Sequence, residues 1–296
     1  NFAAAYNNLG IIFKELGETL KAQNCYEKAI EINPNFAAAY NNLGIIFIEL
    51  GETLKAKNCY EKAIEIDSDY VEAHNNLGTT FRDLGETLKA KNCYEKAIEI
   101  NPNYTDAHNN LGILFKELKN YQKAKECYEK AIEINASHTE ALNNLGAIFK
   151  ELKDFKKAKE CYEKVIEIKP NHANAHNNLG NILYELKEFQ IAKECYEKAI
   201  EINPNYAVAY NNLGVLFGEL NENQKVKECY EKAIEINPNY DEAYTNLAII
   251  FHKSGQSQKA ISLHKKAIEI NPNNANAHNN LGLTFNDLRE YLKAIK

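Results

Sequence analysis

A four-residue word, Asn-Asn-Leu-Gly, returns every 34 residues, and this fixed step constrains the chain more than any other feature. It stands at residues 7–10, 41–44, 75–78, 109–112, 143–146, 177–180 and 211–214. A worn copy, Thr245-Asn246-Leu247-Ala248, precedes a restored one at 279–282, with no insertion or deletion between them. A constant period of this length predicts a solenoid, in which each copy buries its apolar face only against its neighbours. Eight complete repeats fill residues 3–274 and a partial ninth follows at 275–296. The expectation is one all-α solenoid over residues 1–296, cut from a longer array.

Each repeat reads as two helices. In the first copy Tyr6, Leu9, Gly10 and Phe13 share one face of a helix A spanning about residues 3–16. Ala22, Cys25, Tyr26 and Ala29 share one face of a helix B spanning about residues 19–32. Gly10 in mid-helix costs about 1 kcal/mol against Ala, which makes sense if a bulky ring must come close. Asn33-Pro34-Asn35 ends helix B, and all six prolines occupy this one site. Asn33 suits a left-handed cap there, and Asn35 an N-cap for the next helix.

Seven cysteines, Cys25 to Cys229, also recur every 34 residues. Packed helices lie about 8–10 Å apart, beyond the reach of a disulfide. These are therefore expected to be free thiols buried as small apolar groups, which fits a reducing, cytoplasmic compartment. Two glycosylation patterns, at Asn103 and Asn135, would matter only in a secreted protein. The net charge of −6, mixed along the chain, argues against a nucleic-acid partner. The apolar runs are too short to cross a membrane.

The positions Tyr6, Leu9-Gly10, Phe13, Ala22, Tyr26, Ala29 and Pro34 closely resemble the tetratricopeptide repeat, and the likeness runs the whole length of the chain. The resemblance implies a right-handed superhelix with helices A lining a concave groove. The second Asn of each pair also resembles the asparagine ladder of O-linked N-acetylglucosamine transferase superhelices, which holds the backbone of an extended polypeptide. Residue by residue that ladder is Asn8, Asn42, Asn76, Asn110, Asn144, Asn178, Asn212, Asn246 and Asn280.

The residues carry a physical argument of their own. Ala4, Asn8, Ile11 and Glu15 form a second stripe beside the packed face of helix A. A carboxamide both donates and accepts, so it can grip a peptide main chain without reading side chains. Repeats stacked about 10 Å apart match about three extended residues per rung. A ring of Glu15, Glu49, Asp83, Glu117, Glu151, Glu185, Glu219 and Asp287 nearby favours a basic or amide-rich segment. The competing reading is that these amides merely bond neighbouring helices. That reading is preferred for the first Asn of each pair, Asn7 and its equivalents.

No phosphate loop, nucleophile elbow or zinc-ligand spacing appears, so neither catalysis nor a cofactor is expected within these residues. The leading expectation is a non-catalytic protein-interaction scaffold holding an extended peptide. Two alternatives stay open. The array could be the substrate-recognition arm of an O-glycosyltransferase whose catalytic domain lies outside this chain, or a structural repeat that associates head to tail into filaments.

Overall fold

The computed structural model describes residues 2–288. The rest of the expected ninth repeat, residues 289–296, lies outside the described residues. Among the described residues there are seventeen α-helices and no strand. The A helices are α1 (Phe2–Glu15), α3 (Ala37–Glu49), α5 (Val71–Asp83), α7 (Thr105–Glu117), α9 (Thr139–Glu151), α11 (Ala173–Glu185), α13 (Ala207–Glu219), α15 (Asp241–Lys253) and α17 (Ala275–Asp287). The B helices are α2 (Thr19–Ile32), α4 (Thr53–Ile66), α6 (Thr87–Ile100), α8 (Tyr121–Ile134), α10 (Phe155–Ile168), α12 (Phe189–Ile202), α14 (Asn223–Ile236) and α16 (Ser257–Ile270).

The chain divides into two compact units, residues 1–148 and 149–296, and the division falls inside α9. In the first unit α1 packs on α2, α2 on α3, and so on, while α1, α3, α5 and α7 also touch in succession. In the second unit α10 to α17 pack in the same order, and α11 touches α13 and α15 touches α17. Within each unit the A helices thus lie side by side, so equivalent positions on them adjoin.

The core explains the mid-helix glycine. A Cβ built on Gly44 would lie 2.5 Å from Cε1 of Tyr60, and one on Gly10 would lie 2.5 Å from Cε1 of Tyr26. These tyrosines are 2 % and 1 % exposed, flanked by fully buried alanines such as Ala56 and Ala63. Removing such a ring from water stabilises the fold by about 2–3 kcal/mol, more than glycine costs the helix. Ion pairs within helix B, such as Lys62–Glu65 at 2.9 Å, are exposed and add little beside this.

One expectation is corrected. Asn33 ends helix B with extended backbone, φ −136° and ψ 93°, and so do Asp67 and Asn135, which no proline follows, so the side-chain-closed turn rather than the proline sets this geometry. Asn33 Oδ1 accepts from the amide of Asn35 at 3.1 Å. Phe36, not Asn35, stands at the start of α3. The left-handed residues sit in the other turn, between helices A and B: Gly17, Gly51, Gly85 and Gly255, with Lys119, Lys153, Lys187 and Asn221 in the same place.

Candidate functional site

Within each unit, ladder asparagines bond the first asparagine of the preceding repeat. In the first unit Asn42 Nδ2 donates to Asn7 Oδ1 at 3.0 Å and Asn76 Nδ2 to Asn41 Oδ1 at 3.0 Å. Asn110 donates to Asn75 at 2.9 Å and Asn144 to Asn109 at 3.1 Å. In the second unit Asn212 donates to Asn177 and Asn246 to Asn211, both at 3.0 Å. The acceptors are buried, Asn41 being 4 % exposed, while the donors are half-buried. The expectation that the first Asn of each pair bonds between helices therefore holds for Asn7, Asn41, Asn75, Asn109, Asn177 and Asn211, and their specific partner is the ladder itself. This 35-residue offset is invisible in a 34-residue repeat read one copy at a time.

A carboxamide has two N–H donors and an accepting oxygen. Asn42, Asn76, Asn110 and Asn144 each make a single side-chain bond among the described residues. One N–H and Oδ1 remain on each. Asn212 differs, because it also donates to Asn181 Oδ1 at 3.1 Å, and both its hydrogens are engaged. Asn8 is exposed, and Asn178 and Asn280 are half-buried. For Asn280 the acceptor position holds Thr245, whose hydroxyl instead donates to the Asp241 carbonyl at 2.9 Å.

The acidic ring beside the ladder is exposed but partly neutralised. Lys14 Nζ lies 3.8 Å from Glu49, and Arg82 lies 3.1 Å from Asp83 and 4.0 Å from Glu117. Tyrosine hydroxyls from helix B reach the variable position beside the ladder when it is polar: Tyr94 donates to Thr79 at 3.1 Å and Tyr196 to Asn181 at 2.9 Å. Tyr128, whose own repeat carries Ile113 at that position, has a buried hydroxyl without a partner among the described residues.

The remaining candidates resolve locally. All seven cysteines are free thiols, and burial, then nearby glutamates, push Cys59, Cys93 and Cys195 up to about 11. Such thiols are poor nucleophiles at neutral pH. The histidines in the aromatic slot bond their own preceding turn, as His74 Nε2 does with the Ser68 carbonyl at 2.9 Å. His172 caps α11 through Nδ1 and His176 pairs with the Pro170 carbonyl, so the two are occupied separately. Asn135 Oδ1 accepts from both the amide and the hydroxyl of Ser137, and Asn103 lies exposed in the equivalent turn. No helix among the described residues is long and apolar enough to cross a membrane.

Residues 2–203 match a family model described as "Cilia and flagella-associated protein 70 C-terminal domain". Residues 171–239 and 229–262 match models described as "Tetratricopeptide repeat", and residues 250–288 one described as "TPR repeat". No curated protein matches the chain in sequence. Among solved structures, the APC/C hetero-tetramer Cut9-Hcn1 is similar at 16 % identity and a TM-score of 0.71, over 90 % of this chain and 52 % of that one. This chain therefore spans about half the length of that relative. The Pseudomonas aeruginosa pilF structure is similar at 24 % identity and a TM-score of 0.62, over 68 % of this chain and 92 % of that one. At these identities the likeness is one of fold.

Proposed function

We propose that this chain, which belongs to the tetratricopeptide-repeat family, is a protein-interaction scaffold whose helix-A face holds an extended peptide along the asparagine ladder. The ladder residues are Asn8, Asn42, Asn76, Asn110 and Asn144 in the first unit and Asn178, Asn212, Asn246 and Asn280 in the second. The observation that carries the reading is the state of Asn42, Asn76, Asn110 and Asn144. Each amide is fixed by one bond to the preceding repeat, half-buried, and keeps one donor and one acceptor. A side chain already held in one orientation loses little further entropy on binding. One donor and one acceptor per rung match the alternating N–H and C=O of an extended main chain.

The ring of Glu15 and its equivalents favours a basic or amide-rich segment by long-range attraction. Free thiols fit a reducing interior such as the cytoplasm. The model matched over residues 2–203 takes its name from cilia and flagella, and a protein of that compartment is the first partner to try.

The Asn–Asn bonds also favour a second reading, in which the ladder only joins repeats. A peptide selected from a random display library on the intact chain separates the two. Replacing Asn76, Asn110 and Asn144 together with Ala should weaken that peptide at least tenfold while helix content at 20 °C stays unchanged. Equal affinity of the two proteins would leave only the repeat-joining role.

A further inference from the structure

Because all repeats share one frame, each position has a set of internal controls, and one place breaks the frame on several sides at once. At the residue before helix A the repeats carry Phe36, Tyr70, Tyr104, His138, His172, Tyr206 and Tyr240, but the last complete junction carries Asn274. At the first residue of helix A they carry Ala, Val or Thr, but α15 begins with Asp241. At the acceptor position of the ladder, Thr245 replaces Asn. One repeat earlier, Tyr240 packs on the apolar cluster of Ala207, Ala233 and Ala243. At the altered junction a polar pair stands in its stead: Asn274 Nδ2 donates to Asp241 Oδ2 at 2.7 Å and contacts Thr245 Oγ1 at 3.3 Å.

With the ring gone, a cavity of about 430 Å³ lies among α13, α15 and the turn before α17. Its lining includes two carboxylates, Asp241 and Glu242, and the ladder amides Asn212 and Asn246, with no Lys, Arg or His. Asp241 Oδ2 is already satisfied by Asn271 and Asn274, at 2.8 and 2.7 Å. Asp241 Oδ1 takes no hydrogen bond among the described residues, and Glu242 meets only a long contact of 3.4 Å from Tyr240. The cavity thus holds two negative charges, a surplus of acceptors and no cation. It also lacks an aromatic platform, which disfavours a sugar, while Val215 offers one apolar wall.

We infer that this cavity is a side-chain pocket for arginine in the bound segment. The inference rests on the reading of the helix-A face as a peptide site. Arginine suits the pocket because a planar guanidinium presents five donors to several fixed acceptors, whereas lysine presents a compact ammonium. The cavity is large enough to admit a side chain and its charged head. The ladder then sets the path of the main chain, and this pocket sets its register.

The test uses the full chain and four pools of N-acetylated, C-amidated decapeptides in an Ala/Ser/Asn background, each with one fixed central residue: arginine, lysine, citrulline or norleucine. Arginine peptides should bind at least tenfold tighter than norleucine peptides, with lysine and citrulline between them. The Asp241→Asn/Glu242→Gln protein should lose that preference to within twofold and still bind the norleucine pool. Asn274→Tyr restores the ring found in other repeats, so it should fold normally and abolish the preference by filling the space. Equal binding of arginine and norleucine pools to the unaltered protein overturns the pocket and leaves the ladder standing. Absence of binding by every pool overturns both. An arginine preference that survives Asn274→Tyr overturns this location.

Discussion

Asn76 Nδ2 lies 3.0 Å from Asn41 Oδ1, joining two repeats through side chains 35 residues apart. Asn41 is buried, so removing its partner strands an acceptor at a cost of about 1–2 kcal/mol. Asn41→Ala and Asn76→Ala should each destabilise by that amount in urea melts. The double variant should be milder than the sum by about 1 kcal/mol, since the second change removes an orphan rather than a bond. Strict additivity would mean that the bond contributes nothing.

Gly44 and Tyr60 are matched by exclusion, because a Cβ at residue 44 would overlap the ring at 2.5 Å. Gly44→Ala should cost about 1–3 kcal/mol despite the better helix propensity of alanine. The eighth repeat carries Ala248 and His264 at the same two positions. A shorter ring should therefore relieve the clash, and Gly44→Ala/Tyr60→His should be less unstable than the two single costs combined. Thermal melts of the four proteins measure this.

His264 gives the eighth repeat a sensitivity to mild acid. It is fully buried, neither ring nitrogen has a partner among the described residues, and burial, then the neighbouring His252, lowers it to about 4. His252 in turn faces Asp287 at 3.1 Å. At pH 7 the ring is neutral in the folded chain and mostly neutral in the unfolded one, so pH has little leverage. Below the ordinary value of 6.5 the unfolded chain takes up a proton that the folded chain refuses, so stability falls until about pH 4. The loss at pH 5 is about 2 kcal/mol. Protection factors of amides in α15 and α16, corrected for the slower intrinsic exchange at lower pH, should fall between pH 7 and pH 5, and His264→Phe should remove the fall.

Lys119 adopts φ 57° where the first three repeats place glycine. A side chain pays about 1 kcal/mol for that region. Lys119→Gly should raise stability by up to about 1 kcal/mol, and Gly51→Ala, at φ 76° with open space around it, should lower it by a similar amount. Denaturant midpoints of both variants test the pair.

These contrasts show what the sequence makes legible. Gly10 facing Tyr26 could be read in advance, because both recur with helical spacing and glycine has a cost that only a close neighbour offsets. The bounds of α1 and α2 followed from the same periodicity. The relay from Asn42 to Asn7 could not be read, because it depends on how one repeat sits on the next. Lys119 carries no left-handed signature of its own; only alignment with Gly17 would have exposed it. The eighth repeat was visibly deviant at Thr245, Ala248 and His264, yet the weight of Asp241 and Asn274 emerged only once the fold brought them within 2.7 Å.

The most direct test of the ladder follows the two side-chain amide hydrogens of Asn76, Asn110 and Asn144 by ¹⁵N NMR, with and without a saturating library-selected peptide. In the free protein one hydrogen of each pair should exchange slowly, being held by Asn41, Asn75 or Asn109, and the other quickly. Bound peptide should shift and protect the second hydrogen at consecutive rungs. Unchanged shifts and exchange at all three residues under saturation would contradict binding along the ladder.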